Sequence, residues 1–452
     1  MNQLVDDVTK SVRSAYGGSV DDIFPIHNSS ACQFKWSWST IFLSHGTTTS
    51  CHRCKHLTFN KDTIKNFHNL PAKIDDREKM LNGEWNDNGC SYCKRVEDAG
   101  GKSERTAWIN GRDLVPPEFT DTEYPTSVTP RLLEVYFTNL CNQACTYCSP
   151  QFSSVIEADV KKNGPIHGAV DYTLRPIHPD YDIYLEKFWE WMEENGHHLY
   201  EFQILGGEPM YQPEFVQCLD FFEKNPNPKL TFRIFSNLKH TQKKFTALIK
   251  RVRKLQDDGK IKKFQIIASM DCWGPQAEYA RYGMNLKNWE TNLRTALEHK
   301  IEVNIHMTIS PLTLPTMAEF MKKIYQFRKE YNDIGWTSGE TGLFMSSNTI
   351  NNPKMFDPYV FGNKLAPYVQ DAIDELSDPA DKEQRECLQG MVDALTNNNR
   401  VQLQHIKTFR VFLDAIDERR GKGKVLKRLA DWRILYPEIN VMVEEILRDI
   451  IA

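Results

Sequence analysis

The sequence predicts an α/β protein centred on a partial, open (β/α)6 barrel, with a cysteine-rich region before it and a mainly helical extension after it. Three observations carry this expectation. Six short apolar runs read as strands, at residues 132–137, 200–205, 230–235, 264–270, 303–309 and 341–345. Amphipathic patterns lie between several of them: Phe245, Leu248, Ile249, Val252 and Leu255 recur with helical spacing, and so do Met317, Phe320, Met321, Ile324 and Phe327. Strands this apolar, separated by helices, are expected to be parallel and buried on both faces. Small polar motifs also follow the strands, where βα barrels place their chemistry. Six βα units are too few to close an eight-fold barrel, so the barrel should be open.

Taken in order, residues 1–115 form an irregular region carrying Cys32, Cys51, Cys54, Cys90 and Cys93. Residues 116–130 contain several prolines and read as an extended linker. Residues 131–348 hold the alternating strands and helices, and residues 349–452 are mostly helical. The helical patterns at 401–413 and 442–451 suggest packing or self-association, and the sequence leaves the oligomeric state open.

A chain of 452 residues has ample length for a large core. Hydrophobic residues make up 40% and charged residues 26%, as in an ordinary soluble protein. The net charge of -4 is too near balance to make nucleic acid or an anionic membrane an obligatory partner. The opening MNQLVDDVTKSV lacks the apolar centre of a signal peptide. No run approaches the ~18 apolar residues of a membrane span, so the expected location is the cytoplasm. Of eleven cysteines, eight fall between Cys32 and Cys148, leaving Cys218, Cys272 and Cys387 beyond. Clustering in a reducing compartment points to metal rather than to a disulfide framework.

The first barrel strand runs into CNQACTYC, which places Cys141, Cys145 and Cys148 at C-x3-C-x2-C spacing in the following loop. Three thiolates cannot complete a four-iron cluster, whereas four-thiolate clusters are fully ligated. A structural zinc site or three unrelated core thiols also fit the spacing alone. The second strand ends in Gly206-Gly207-Glu208-Pro209, the third in Ser236-Asn237 and the fourth in Ser269-Met270-Asp271. Singly, each is a turn or capping signal. Four motifs at corresponding places on successive strands are hard to attribute to turns.

CNQACTYC, GGEP, SN and SMD in this order resemble the radical S-adenosylmethionine superfamily over about residues 131–348. The resemblance implies that Cys141, Cys145 and Cys148 hold a [4Fe–4S] cluster whose open iron binds the amino and carboxylate groups of S-adenosylmethionine. It implies Tyr147 against the adenine, and Gly206, Gly207 and Glu208 toward the methionyl amino group. Ser236, Asn237, Ser269 and Asp271 become candidates for the ribose hydroxyls and the carboxylate, with Arg281 a further carboxylate contact or a surface ion pair. The implied activity is reductive cleavage to a 5′-deoxyadenosyl radical that abstracts a substrate hydrogen, with an electron donor such as a flavodoxin or ferredoxin. Many relatives have glycine after the aspartate, where this chain has Cys272. That thiol is either a late hydrogen-atom donor or a small core hydrophobe.

The N-terminal cysteines admit two readings. A zinc ribbon would use Cys51, Cys54, Cys90 and Cys93, but 35 residues separate the pairs and Cys32 is left idle. Alternatively, Cys32, Gly46 and Cys51 spell C-x13-G-x4-C, which resembles the opening of SPASM and twitch modules. That resemblance, with Trp36 and MLNGEW…GCSYCKRVEDAGGKSERTAWIN, covers about residues 31–110. It implies an auxiliary iron–sulfur cluster on Cys32, Cys51, Cys90 and Cys93, with Cys54 spare or substituting. In the best-known relatives the module follows the barrel; here it precedes it.

The resemblance makes a peptide or protein the first expected substrate, with a nucleotide, RNA or small metabolite as alternatives. The basic runs at 239–255 and 419–428 could meet RNA, but in the first the charges sit on the solvent face of a helix. From another class, the chain could be a non-catalytic zinc-binding interaction protein.

Overall fold

The computed structural model describes residues 25–448 apart from 27, 87–88, 102, 108–113, 121, 167–172, 332–341 and 422–430. The start of the sixth expected strand, most of the second basic run and the end of the last expected helix lie outside the described residues.

Nine strands form one sheet: β1 (Trp38–Phe42), β2 (Thr47–Thr49), β3 (Leu57–Thr58), β4 (Leu132–Tyr136), β5 (Glu201–Leu205), β6 (Asn227–Ser236), β7 (Ile261–Ser269), β8 (Glu302–Ile309) and β9 (Leu343–Thr349). Their order is β3-β2-β1-β4-β5-β6-β7-β8-β9. From β4 to β9 every neighbour is parallel and consecutive, as βα crossovers require. All six expected barrel strands are present. The sheet ends at β3 and β9, so the barrel is open.

The N-terminal region enters the same sheet. β1 lies parallel to β4, pairing Thr40 with Glu134 and Phe42 with Tyr136, and β2 and β3 follow antiparallel at the edge. The apolar period read across 131–348 stops short of this, because TIF and TTT in β1 and β2 are too short to register as strands. The proline-containing stretch is extended, yet it is tied down. Trp36 Nε1 donates to Pro125 O at 3.1 Å, and Arg77 Nη1 donates to Thr126 O at 2.6 Å.

Strand alternation sorts the side chains into two faces. Leu133, Val135, Phe202, Ile204, Phe232, Ile234, Phe264, Ile266, Val303 and Ile305 are buried against the helices. Phe245, Ile249, Val252 and Leu255 of helix Gln242–Asp257 join that core, as do Met317, Phe320, Met321, Ile324 and Phe327 of helix Met317–Tyr331. The opposite, concave face carries two register-aligned rows. The lower runs Thr40, Glu134, Gln203, Arg233, Gln265 and Glu302. The row above runs Phe42, Tyr136, Leu205, Phe235, Ile267, Asn304 and Phe344. Arg233 Nε donates to Gln265 at 2.5 Å, Arg233 also bonds Glu201, and Lys263 bonds Glu302 at 2.8 Å. The lower row is thus a polar floor whose charges are paired.

The C-terminal helices pack on the barrel rather than standing apart. Arg328 of Met317–Tyr331 reaches Asp381 through both terminal nitrogens, at 2.6 and 2.9 Å, with both side chains buried. Arg420 of helix Leu403–Gly421 sits between the rings of Tyr279 and Tyr282. Among the described residues no helix is long and apolar enough to cross a membrane.

Removing one partner of a buried ion pair leaves the other charge unsolvated. Arg328→Met is therefore expected to lower stability in urea unfolding by about 3–5 kcal/mol. Adding Asp381→Leu to it should recover much of that loss.

Candidate functional site

The three barrel cysteines sit in a loop with no helix or strand of its own, so its shape comes from neighbours. Cys148 N donates to Cys145 O at 3.0 Å, closing a turn between the last two thiols. Cys141 N donates to Ser154 Oγ at 3.1 Å. Ala144 N and Thr146 N donate to Tyr282 O and Ala280 O at 2.8 and 2.7 Å, which stitches the loop to the EYARYG segment. From the C-terminal extension, Arg420 donates to Thr146 Oγ1 at 3.0 Å and to Tyr279 O at 3.1 Å.

Gly206 and Gly207 allow the second strand end to meet this loop. Both have positive φ, 84° and 58°. A Cβ on Gly207 would lie 2.3 Å from Leu140 O, and one on Gly206 would lie 2.7 Å from Tyr136 Cδ1. The glycines thus bring backbone against the cysteine loop itself. Glu208 is fully buried. Its carboxylate accepts from Ser236 Oγ at 2.8 Å, Asn237 N at 2.6 Å and Met210 N at 3.2 Å. Ser236 therefore faces the protein interior, away from the concave face, and ties β5 to β6. A carboxylate offers about four acceptor positions; three are taken here, and His240 Nε2 stands 3.6 Å from Glu208 Oε1. Asn237 faces the loop, donating from Nδ2 to Asn142 Oδ1 at 2.9 Å.

Asp271 is the second buried carboxylate. It accepts from Tyr147 Oη, from Arg281 Nη2 at 2.7 Å and from Thr308 N at 2.8 Å. One side chain thus joins the cysteine loop, the EYARYG segment and β8. Arg281 is buried rather than at the surface, and its Nε has no hydrogen-bond partner. An unpaired guanidinium N–H in a buried site is costly unless an acceptor joins it. Arg281 lies beside Tyr147, 5.8 Å from the ring centroid. Ser269 stands half-buried on the concave face, in register with His306.

Of the two readings of Cys272, its burial agrees with the small core hydrophobe. Alternation after Asp271 turns it into the helix-side core, where it is fully buried with Met270. Burial and the neighbouring Asp271 carboxylate push its thiol well up, so it stays protonated. The structure places it as a core thiol.

The three loop thiols are crowded. Burial pushes Cys141 up to about 12, with Cys145 adding repulsion. Burial, Cys145 and Cys141 push Cys148 up further. Buried and repelling one another, these thiols give up their protons only with a cationic group among them, and an iron cluster supplies one. Lys239 also leans over the loop, donating to Asn142 O at 2.6 Å. The donor set therefore fits an iron–sulfur group held by Cys141, Cys145 and Cys148.

Polar residues of the concave face escaped the sequence reading. His306 Nδ1 lies 2.9 Å from Ser346 Oγ and its Nε2 lies 3.3 Å from Asn348 Nδ2. Burial holds the imidazole below its ordinary pKa. The available signal was the alternation in VNIHMTI, where Asn304, His306 and Thr308 share one face.

The five N-terminal cysteines also converge. Cys32, Cys51, Cys90 and Cys93 line one cavity with Lys35, Arg53 and Arg105. Cys51 and Cys54 sulfurs stand 3.5 Å apart, and Lys35 Nζ lies 3.2 Å from Cys54 Sγ. Gly89 makes the convergence possible, since a Cβ there would lie 2.2 Å from Arg53 O. Among the described residues no three His, Cys, Asp or Glu side chains are arranged around a single-ion position. These cysteines abut the barrel. His52, between Cys51 and Cys54 in the chain, reaches Glu134 Oε2 of the polar floor at 2.8 Å.

No family model and no curated protein matches the chain. Among solved structures it is similar to native anSMEcpe with bound AdoMet, at 16% identity over 53% of this chain and 59% of that one, with a TM-score of 0.33. It is also similar to Streptococcus suis SuiB bound to precursor peptide SuiA, at 13% identity over 74% of this chain and 68% of that one, with a TM-score of 0.35. The chain spans less than two thirds of the anSMEcpe length.

Gly207→Ala is expected to cost about 1–3 kcal/mol from its left-handed backbone alone. The Leu140 clash adds displacement of the cysteine loop. A lowered urea midpoint checks the first effect and reduced iron per chain the second; an unchanged protein contradicts both.

Proposed function

We propose that the chain is a radical S-adenosylmethionine enzyme, with an auxiliary metal centre on its N-terminal cysteines and a peptide or protein substrate. The observation that carries the first part is the tie at Asp271: one buried carboxylate joins Tyr147 of the cysteine loop to Arg281 and β8. When bound, the [4Fe–4S] cluster supplies one electron to the sulfonium, so that a 5′-deoxyadenosyl radical abstracts a substrate hydrogen.

The protein's own residues have separable tasks. Cys141, Cys145 and Cys148 hold the cluster and leave one iron for S-adenosylmethionine. Arg281, with its buried free N–H, receives the methionyl carboxylate. Tyr147 is fixed by Asp271 and offers its ring to the adenine. Asn237 and Ser269, on the concave side, are the candidates for the ribose hydroxyls. Gly206 and Gly207 set the height of the loop, and Glu208 holds strand ends together and is the candidate acceptor for the amino group. Below them, the aromatic and aliphatic row at Tyr136, Leu205, Phe235 and Ile267 excludes water from the substrate side.

The peptide assignment rests on the likeness of residues 31–110 to SPASM and twitch modules, many of whose members modify polypeptides. The flavodoxin or ferredoxin donor rests on the resemblance of residues 131–348 to radical S-adenosylmethionine enzymes. The zinc-binding alternative makes no use of Asp271, Arg281 or the glycine pair.

Reduced protein incubated anaerobically with S-adenosylmethionine is expected to release 5′-deoxyadenosine, measured by mass spectrometry. Cys141→Ala should abolish that product, and Arg281→Gln should weaken S-adenosylmethionine binding by about tenfold or more, as loss of a charge-assisted hydrogen bond implies. Normal cofactor cleavage by Cys141→Ala overturns the proposal.

A further inference from the structure

The ground beneath the N-terminal cysteines is unusually cationic. Lys35, Lys73 and Arg77 are all buried there, at 2%, 1% and 0% exposure. Asp76, buried at 3%, is the one carboxylate in ion-pair contact with any of them among the described residues, at 2.5 Å from Lys35 Nζ. Lys73 is satisfied by neutral oxygens of Ser39, Thr48 and Thr49. Arg77 spends its donors on Lys35 O, Asn69, Thr126 O and His68. Burial and the nearby Arg77 and Lys35 charges push Lys73 well below its ordinary pKa, so the charges left to balance are those of Lys35 and Arg77, against the single carboxylate of Asp76.

Lys35 points the excess toward sulfur. Its ammonium is shared between Asp76 and Cys54 Sγ, and the side chain lines the cavity with Cys32, Cys51, Cys90 and Cys93. Cys54 itself stands within reach of Cys51 and Cys90. Thiolate groups bound to metal carry net negative charge, which is the missing counter-charge.

We infer that Lys35 is a positioning residue of an anionic metal–thiolate centre, donating to Cys54 and thereby making this fifth cysteine part of the centre rather than a spare. The inference rests on the auxiliary centre proposed above. It gives Cys54 a place that the C-x13-G-x4-C pattern does not. Asp76 fixes the ammonium, and the ammonium fixes the sulfur.

The test uses the full chain with Cys141, Cys145 and Cys148 all replaced by Ala, so that bound metal reports the N-terminal centre alone. Iron, sulfide and zinc are measured together, then the half-time of metal release to excess chelator. Iron with sulfide identifies a cluster, and zinc without sulfide identifies a single ion; either satisfies the inference. Lys35→Met is expected to weaken metal retention about 10–100-fold, the usual consequence of losing a hydrogen-bond partner of a ligand. Lys35→Arg should retain most of it. Cys54→Ala should also weaken retention, and the double variant should be no worse than the weaker-binding single, because the Lys35–Cys54 contact is lost in both. Lys35→Gln provides the same comparison with length and a donor preserved, should Lys35→Met fail to fold. Additive losses, or release times equal to the parent's, overturn the inference. A chain that binds no metal in the triple background overturns it too, while leaving the barrel reading to be judged by 5′-deoxyadenosine release.

Discussion

The candidate site depends on buried carboxylates that hold an irregular loop to the ends of a regular sheet. A loop with three thiols has no hydrogen-bond ladder to fix its course, so its backbone must be satisfied from outside. Ser154, Tyr282 and Ala280 satisfy that backbone, Asp271 anchors the loop's Tyr147 side chain to Arg281 and β8, and Glu208 ties the β5 end to Ser236 and Asn237. Each carboxylate is buried with several donors, the condition under which a buried charge is tolerable. The parallel sheet matters because it delivers all these strand ends to one edge.

The same principle extends outward on both sides. Arg420 brings the C-terminal helices to the cysteine loop, stacking on two tyrosines while bonding Thr146. On the other flank, β1 joins β4, and His52 carries the N-terminal cysteines to the polar floor at Glu134. The regions that differ in composition along the chain therefore meet around one concave face. An N-terminal metal centre would border the barrel despite preceding it in sequence.

The barrel was legible because parallel strands covered by helices on one face and buried on the other read as short apolar runs, and because the helices between them keep a strict period. The strand-end motifs were legible for the same reason: once the strands are placed, GGEP, SN and SMD follow. What escaped was anything set by tertiary contact. β1 and β2 are too short and polar to announce themselves, yet they complete the sheet. Ser236 and Cys272 look like site residues in the chain, but strand alternation turns both inward. Arg281 reads in sequence as a carboxylate contact or a surface ion pair, and only its burial separates the two. Lys35 and Asp76 carry no motif at all; their meaning comes from the absence of water around them.

The most direct measurement of the central claim is the electron paramagnetic resonance spectrum of the reduced protein with and without S-adenosylmethionine. If Cys141, Cys145 and Cys148 leave one iron open, the cofactor alters the signal of that cluster, and the change disappears in Cys145→Ala. A spectrum indifferent to S-adenosylmethionine, or a protein holding zinc at those three sulfurs, contradicts it.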